Sequence, residues 1–223
     1  MKNSNLSSVP MIALAGNPNV GKSTIFNALT GLHQHTGNWS GKTVDLAKGS
    51  CKIQNKLYSI VDLPGCYSLC STSREEEIAR DFLIQKNPQL VVIICDPVSL
   101  ERNLTLVLQI LRFTSHALLC INLMDQAKKR GIHISCEKLE KELQIPIIAI
   151  TARKKTDIAR LKLAIAQAVS KNTCACPKPP AIETACQSAC ADYASLLYQK
   201  VVTRHQAKTS PMRKHHFHAD SLF

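Results

Sequence analysis

Gly16-Asn-Pro-Asn-Val-Gly-Lys-Ser23 brings together the residue types that grip a polyphosphate. Gly16 and Gly21 permit backbone conformations that turn successive N–H groups inward. Lys22 adds a point charge for β- and γ-phosphates, and Ser23 offers a hydroxyl to Mg²⁺. A helix starting here contributes partial positive charge at its N-terminus. Asn17, Pro18, Asn19, Val20 and Thr24 complete the expected wall of this loop. The apolar run Met11–Ala15 reads as a strand, and Thr24 to Thr30 as a helix ending at Gly31. That is the context a phosphate-binding P-loop requires, so the chain is expected to bind a nucleoside triphosphate.

Three more stretches carry compatible chemistry. Asp62-Leu-Pro-Gly65 ends a strand about forty residues after Lys22; its acid can hold Mg²⁺ through water, and the Gly65 N–H can sense a γ-phosphate. Asn122-Leu-Met-Asp125 follows another strand. A carboxylate there accepts two hydrogen bonds from guanine N1 and N2, a donor pair adenine lacks, so Asp125 is the expected selector of base. Thr151-Ala152-Arg153 follows the last strand, where backbone N–H groups can meet the guanine O6. Thr43 is the candidate for a second hydroxyl on Mg²⁺, favoured over Thr36 because it directly precedes a strand.

The elements that must position these residues alternate between strand and helix. Thr43–Cys51 and Lys56–Val61 read as strands joined near Gly49 or Gln54-Asn55. Leu90–Cys95 and Ala117–Ile121 are apolar runs of buried-strand length, and Pro146–Ile150 is the last strand. Helices are expected over Ser73–Gln85, Leu100–Phe113, Ser135–Leu143 and Asp157–Val169, with Ser73 and Ser135 as caps. Ile78, Phe82 and Leu83 form a core stripe. Such alternation predicts an α/β fold: a mainly parallel sheet flanked by helices, with ligands at the carboxyl ends of its strands. Leu32 to Lys42 has no periodicity and reads as a mobile loop, with Trp39 as its anchor or a partner contact. Three regions follow: 1–171 as the nucleotide domain, 172–180 as a linker, and 181–223 as a short helical segment. In the last, Ala181 to His205 reads as an amphipathic helix presenting Ala185, Ala189, Tyr193 and Leu196 or Leu197.

Composition bounds the surroundings. The formal charge is +12, most of it before Lys171, which suits nucleic acid or an anionic membrane surface without choosing between them. The polar stretch Met1–Pro10 and the short run after it do not read as a secretory leader, so the ten cysteines are expected to be reduced. No apolar run approaches the roughly 18 residues of a membrane span. Cys174, Cys176, Cys186 and Cys190 fit no standard zinc spacing. His215, His216 and His218 read as part of a frayed basic tail.

Taken together, the motifs are ordered as in Ras-like P-loop GTPases, and the match extends further. Gly37-Asn-Trp39, Thr43-Val44, Asp62-Leu-Pro-Gly-Cys-Tyr-Ser-Leu69, Leu100-Glu-Arg-Asn-Leu104 and Asn122–Asp125 resemble the cytosolic G domain of the bacterial ferrous iron transport protein B (FeoB) family. The resemblance covers roughly residues 10 to 170. It implies binding of GTP and GDP, slow hydrolysis, and coupling to a membrane permease for Fe²⁺ at the inner face of the bacterial inner membrane. Small accessory transport proteins are further implied partners, with no nucleic acid. The family has Pro and Val where this chain has Ser40 and Lys42, and a longer helical segment after the G domain. A stand-alone GTPase of ribosome or RNA maturation is the alternative, consistent with the charge.

Expected catalytic residues are Lys22, Thr43, Gly65 and Asn19. Ras places a water-orienting glutamine just after the Asp-x-x-Gly glycine, and Cys66 occupies that position here. Unaided hydrolysis is therefore expected on the order of 10⁻³ s⁻¹ or less. Asn19 and Gly37–Trp39 resemble GTPases that place K⁺ beside the β- and γ-phosphates.

Overall fold

The computed structural model describes residues 9–31, 34–38, 45–70, 73–170 and 187–204. Thr43, Trp39, the 172–180 linker, Cys174, Cys176, Cys186 and the histidine tail lie outside them. Nine strands and seven helices are present among the described residues. The strands are β1 (Met11–Gly16), β2 (Gln34–Asn38), β3 (Asp45–Ile53), β4 (Lys56–Asp62), β5 (Leu90–Cys95), β6 (Ala117–Ile121), β7 (Ile132–Ile134), β8 (Ile147–Ala149) and β9 (Val202–Arg204). The helices are α1 (Lys22–Thr30), α2 (Arg74–Lys86), α3 (Leu100–Leu111), α4 (Met124–Lys129), α5 (Cys136–Leu143), α6 (Lys155–Ser170) and α7 (Gln187–Val201).

Seven strands form one sheet in the order β2-β3-β4-β1-β5-β6-β8. Pairings from β4 through β8 are parallel, and the β2–β3–β4 edge is antiparallel. Strand direction around β1 explains the site's location. Its neighbours β4 and β5 lie on opposite sides. The chain leaves β1 through α1 towards the β3–β4 side, while the crossover from β4 through α2 reaches β5 on the other. This reversal opens a crevice at the carboxyl end of β1. The P-loop begins there.

Strict alternation along the central strands builds two cores. Ile12 and Leu14, Val92 and Ile94, and Leu118 and Cys120 face α1 and α6. Ala13 and Ala15, Val91 and Ile93, and Leu119 and Ile121 face the side of α2, α3, α5 and α7. A period of two in a run apolar at every position is the signature of a strand buried on both faces. The stripe Ile78, Phe82, Leu83 is buried as expected.

Local signals set most boundaries. Gln54 and Asn55 take φ of 47° and 63°, a two-residue hairpin turn, so the turn lies there while Gly49 pairs inside β3. Gly31 ends α1 at φ 64°, and the Ser73 hydroxyl caps α2 by accepting from the Glu76 N–H at 3.3 Å. Ser135 precedes α5 but makes no side-chain cap bond. Helix α1 begins at Lys22, two residues earlier than expected, which brings Lys22 and Ser23 into its first turn.

Two expectations are corrected. Part of the supposed mobile loop, Gln34–Asn38, is an edge strand antiparallel to β3, with Thr36 opposite Ala47; the open ladder of β3 organises a segment without a pattern of its own. The helix expected over 181–205 is described from Gln187 to Val201, after which Val202–Arg204 pairs with β7. Its buried face is Cys190, Ala194, Leu197 and Val201, with Ala189 and Tyr193 of the expected stripe packed at its edge; of the two leucines left open, Leu197 is buried and Leu196 is 56 % exposed. This face belongs to the same core as Leu104 and Leu108 of α3. Leu197→Ala should therefore destabilise the chain by about 2–5 kcal/mol, whereas Leu196→Ala should change it by less than about 0.5. Urea denaturation of both variants checks this.

Candidate nucleotide site

The P-loop follows from β1 and a run of steric constraints. A Cβ on Gly16 would run into the Ile94 carbonyl oxygen of β5, so only glycine lets the loop leave the sheet here. Gly21 has φ 87°, and a Cβ on it would strike the Asn122 side chain. Asn19 is left-handed at φ 66° and exposed. A cleft of about 470 Å³ is lined by Asn17, Pro18, Asn19, Gly21, Lys22, Ser23, Thr24 and Gly65. Eight residues named from spacing alone thus line one cavity, and Val20 is buried beneath them.

Asn122 ties three loops together. It is 1 % exposed; its Nδ2 donates to the Val20 carbonyl at 3.1 Å and its Oδ1 accepts from the Ala152 N–H at 3.0 Å. The Met124 N–H donates to the Ile150 carbonyl, and the Thr151 N–H donates to Asp157 Oδ2 at 2.8 Å. The Asn-x-x-Asp loop and Thr151-Ala152 are thereby docked on the P-loop. Arg153 is exposed in the turn before α6. The Asp125 Oδ1 is buried and has no partner among the described residues, and a second cleft of about 720 Å³ opens beside Asp125, Thr151 and Lys154.

Asp62 ends β4 facing the P-loop. Lys22 Nζ sits 2.7 Å from its Oδ1, with both side chains largely buried. Burial pushes the Asp62 carboxyl up, while Lys22 and a hydrogen bond from Ser23 draw it back. Ser23 and Asp62 therefore converge, and their hard oxygen donors suit Mg²⁺.

The segment after Asp62 is held by groups that sequence reasoning missed. The Cys66 N–H donates to the Gly16 carbonyl at 3.3 Å, and Pro18 lies 3.2 Å from where a Cβ on Gly65 would stand. Ser68 N–H donates to Glu76 Oε1 at 3.0 Å and Leu69 N–H to Gln109 Oε1 at 2.7 Å, both acceptors buried. Arg102 stacks 3.9 Å from the Tyr67 ring, and Asn103 Oδ1 accepts from the Asp96 N–H at 2.6 Å. Three consecutive glutamates beginning α2 read only as favourable end charges. Nothing local distinguishes the one that turns inward.

This combination of P-loop, Asp-x-x-Gly, Asn-x-x-Asp and a mostly parallel sheet defines a Ras-like GTPase fold. The family profile described as ferrous iron transport protein B matches residues 10–165, and the chain belongs to that family. An Fe(2+) transporter FeoB of Helicobacter pylori strain J99 is 40 % identical over 166 residues, covering 73 % of this chain and 26 % of that protein. The Escherichia coli K12 transporter is 39 % identical over 158 residues, 69 % and 20 % of the two chains. The chain thus spans about a quarter or less of these relatives' length. Among solved structures, the FeoB G domain of Methanococcus jannaschii is 47 % identical at TM-score 0.64, covering 73 % of this chain and 98 % of that one. The GDP form II of the Thermotoga maritima cytosolic domain superposes at TM-score 0.79 with 26 % identity, covering 87 % and 100 %. Among the described residues no helix is long and apolar enough to cross a membrane.

Cys66 is 4 % exposed, and burial, reinforced by the charge of Glu76, pushes its thiol up to about 12. Cys95 and Cys120 are raised by burial as well. Among the described residues no three His, Cys, Asp or Glu side chains form a metal-holding group, and Cys190 is buried in the core. A raised thiol leaves Cys66's contribution to stability intact below its ordinary value of 9.0 and loses it as pH climbs towards about 12. At pH 8, iodoacetamide should label exposed Cys70 and spare Cys66, Cys95 and Cys120 until denaturant is added. Peptide mass spectrometry reads the pattern.

Proposed function

We propose that this chain binds GTP and GDP with Mg²⁺, hydrolyses GTP slowly, and serves as the nucleotide-responsive part of a bacterial Fe²⁺ transport system. The observation that carries the guanine assignment is Asp125 Oδ1, buried and without a partner among the described residues, on a loop that Asn122 fixes against the P-loop. An unpaired buried acceptor costs about 1–3 kcal/mol, which a guanine N1–H and N2–H pair would relieve.

In this reading the main-chain N–H groups of 19–24 and the Lys22 ammonium hold the phosphates. Arriving phosphate oxygens compete with Asp62 for Lys22, releasing the carboxylate for the metal side of the site. Ser23, Asp62 and Thr43 are the residues that would hold Mg²⁺, whose charge offsets that of the β- and γ-phosphates. Gly65 senses the γ-phosphate through its N–H, and Ala152 and Arg153 line the base with Thr151. Residues 1–171 form the nucleotide unit, and 181–223, joined through 172–180, its helical appendage.

The transport role, the cytoplasmic face of the inner membrane as its location, and a transmembrane permease as partner are drawn from the named relatives. Accessory transport proteins complete the same proposal. With Cys66 at the glutamine position, a cation beside Asn19 is the proposed aid to hydrolysis.

Two measurements test this. Calorimetry with Mg²⁺ should show GDP binding that Asp125→Asn weakens by about 100-fold or more, with preference over ADP largely lost; an unchanged preference overturns the base assignment. Hydrolysis should run faster in K⁺ than in Na⁺ buffer, and equal rates remove the Asn19 cation site.

A further inference from the structure

Cys66 leaves the site without the side chain that aims water in Ras. It is buried, its N–H is engaged by the Gly16 carbonyl, and its thiol is neither a useful acceptor nor a base at neutral pH. A polar group that could take over the task must lie within reach of Gly65.

Asn17 meets that requirement. It is 3 % exposed, lines the same cleft as Lys22, Ser23 and Gly65, and has no hydrogen-bond partner among the described residues for either Oδ1 or Nδ2. An amide buried with both ends unpaired is costly, so its retention calls for a group that completes it. Its chain neighbours define its place. Gly16 accepts from Cys66, and Pro18 touches Gly65, so Asn17 lies between the two P-loop residues on which the Asp-x-x-Gly segment docks. That is the end of the cleft where Gly65 would meet a γ-phosphate. The other loop amide, Asn19, is exposed, and Lys22 is paired with Asp62.

We propose that Asn17 works at the γ-phosphate, its Nδ2 donating to a γ-phosphate oxygen and its Oδ1 accepting from the attacking water. The water oxygen bonds to the γ-phosphorus while the bond from that phosphorus to the β–γ bridging oxygen breaks. The bridging oxygen keeps the electron pair on GDP, and both water protons leave on inorganic phosphate as H₂PO₄⁻. Asn17 orients both partners and exchanges no proton itself. The assignment rests on the GTP reading above.

The test uses the whole 223-residue chain with Mg²⁺, as Asn17→Ala and the isosteric Asn17→Asp. Affinities for GDP and for a non-hydrolysable GTP analogue are measured beside single-turnover GTP hydrolysis. Removing one preorganised donor costs about 10²–10³ in rate where it acts on developing charge. Asn17→Ala should slow hydrolysis at least about tenfold and weaken the analogue at least about tenfold more than GDP. Asn17→Asp, with a negative charge facing the phosphate, should widen that gap. Hydrolysis within about threefold of the unaltered chain, or equal weakening of GDP and analogue by both variants, would mark Asn17 as a loop brace and overturn the assignment. If Asn17→Ala loses GDP as well, the isosteric variant decides between these outcomes. Failure of the unaltered chain to bind GDP is a separate result, which sinks the guanine reading and this assignment with it.

Discussion

One buried amide holds the candidate nucleotide site in register. Asn122 reaches from the end of β6 to the P-loop carbonyl of Val20 with one atom and to the Ala152 N–H after β8 with the other. Three loops from three strands thus share a single side chain with no exposure to speak of. A fully satisfied buried network specifies one geometry, because any displacement strands a polar group away from water. Gly21 is the other half of the arrangement: its missing Cβ is the space that the Asn122 amide occupies.

The segment after Asp62 shows the same principle with a different outcome. Its far end is fixed, with the peptide of Leu69 held by Gln109 on one side and Arg80 on the other. Its near end meets the P-loop through one 3.3 Å backbone bond and the packing of Gly65 on Pro18. Between them Tyr67 is half-exposed beneath Arg102. The neighbouring Glu101 accepts a 2.6 Å hydrogen bond from Ser195 of α7. Helix α3 therefore touches the segment after Asp62 through Arg102 and Gln109, and α7 through Glu101, Leu104 and Leu108.

Much of this was legible in the linear chain because it depends on local rules. Leu90–Cys95 could hardly be anything but a buried strand, and Gly31 and Ser73 bound their helices through their own backbone and hydroxyl chemistry. Where a segment's structure depends on a distant neighbour, local reading failed. Gln34–Asn38 is a strand because β3 offers it an edge, and Val202–Arg204 because β7 does. Leu196 and Leu197 are chemically equivalent neighbours; only the surface of α3 decides which is buried.

The order and type of the candidate motifs Gly16–Ser23, Asp62–Gly65 and Asn122–Asp125 were determined by the sequence alone, since each needs particular residues within a few positions of a strand end. Tertiary structure decided how those motifs are held together. Asn17, Glu76, Gln109 and Asn122 differ from ordinary polar residues only in being buried, and burial is set by elements as many as a hundred positions apart. Desolvation gives such groups their energetic weight, and desolvation exists only once the chain has packed.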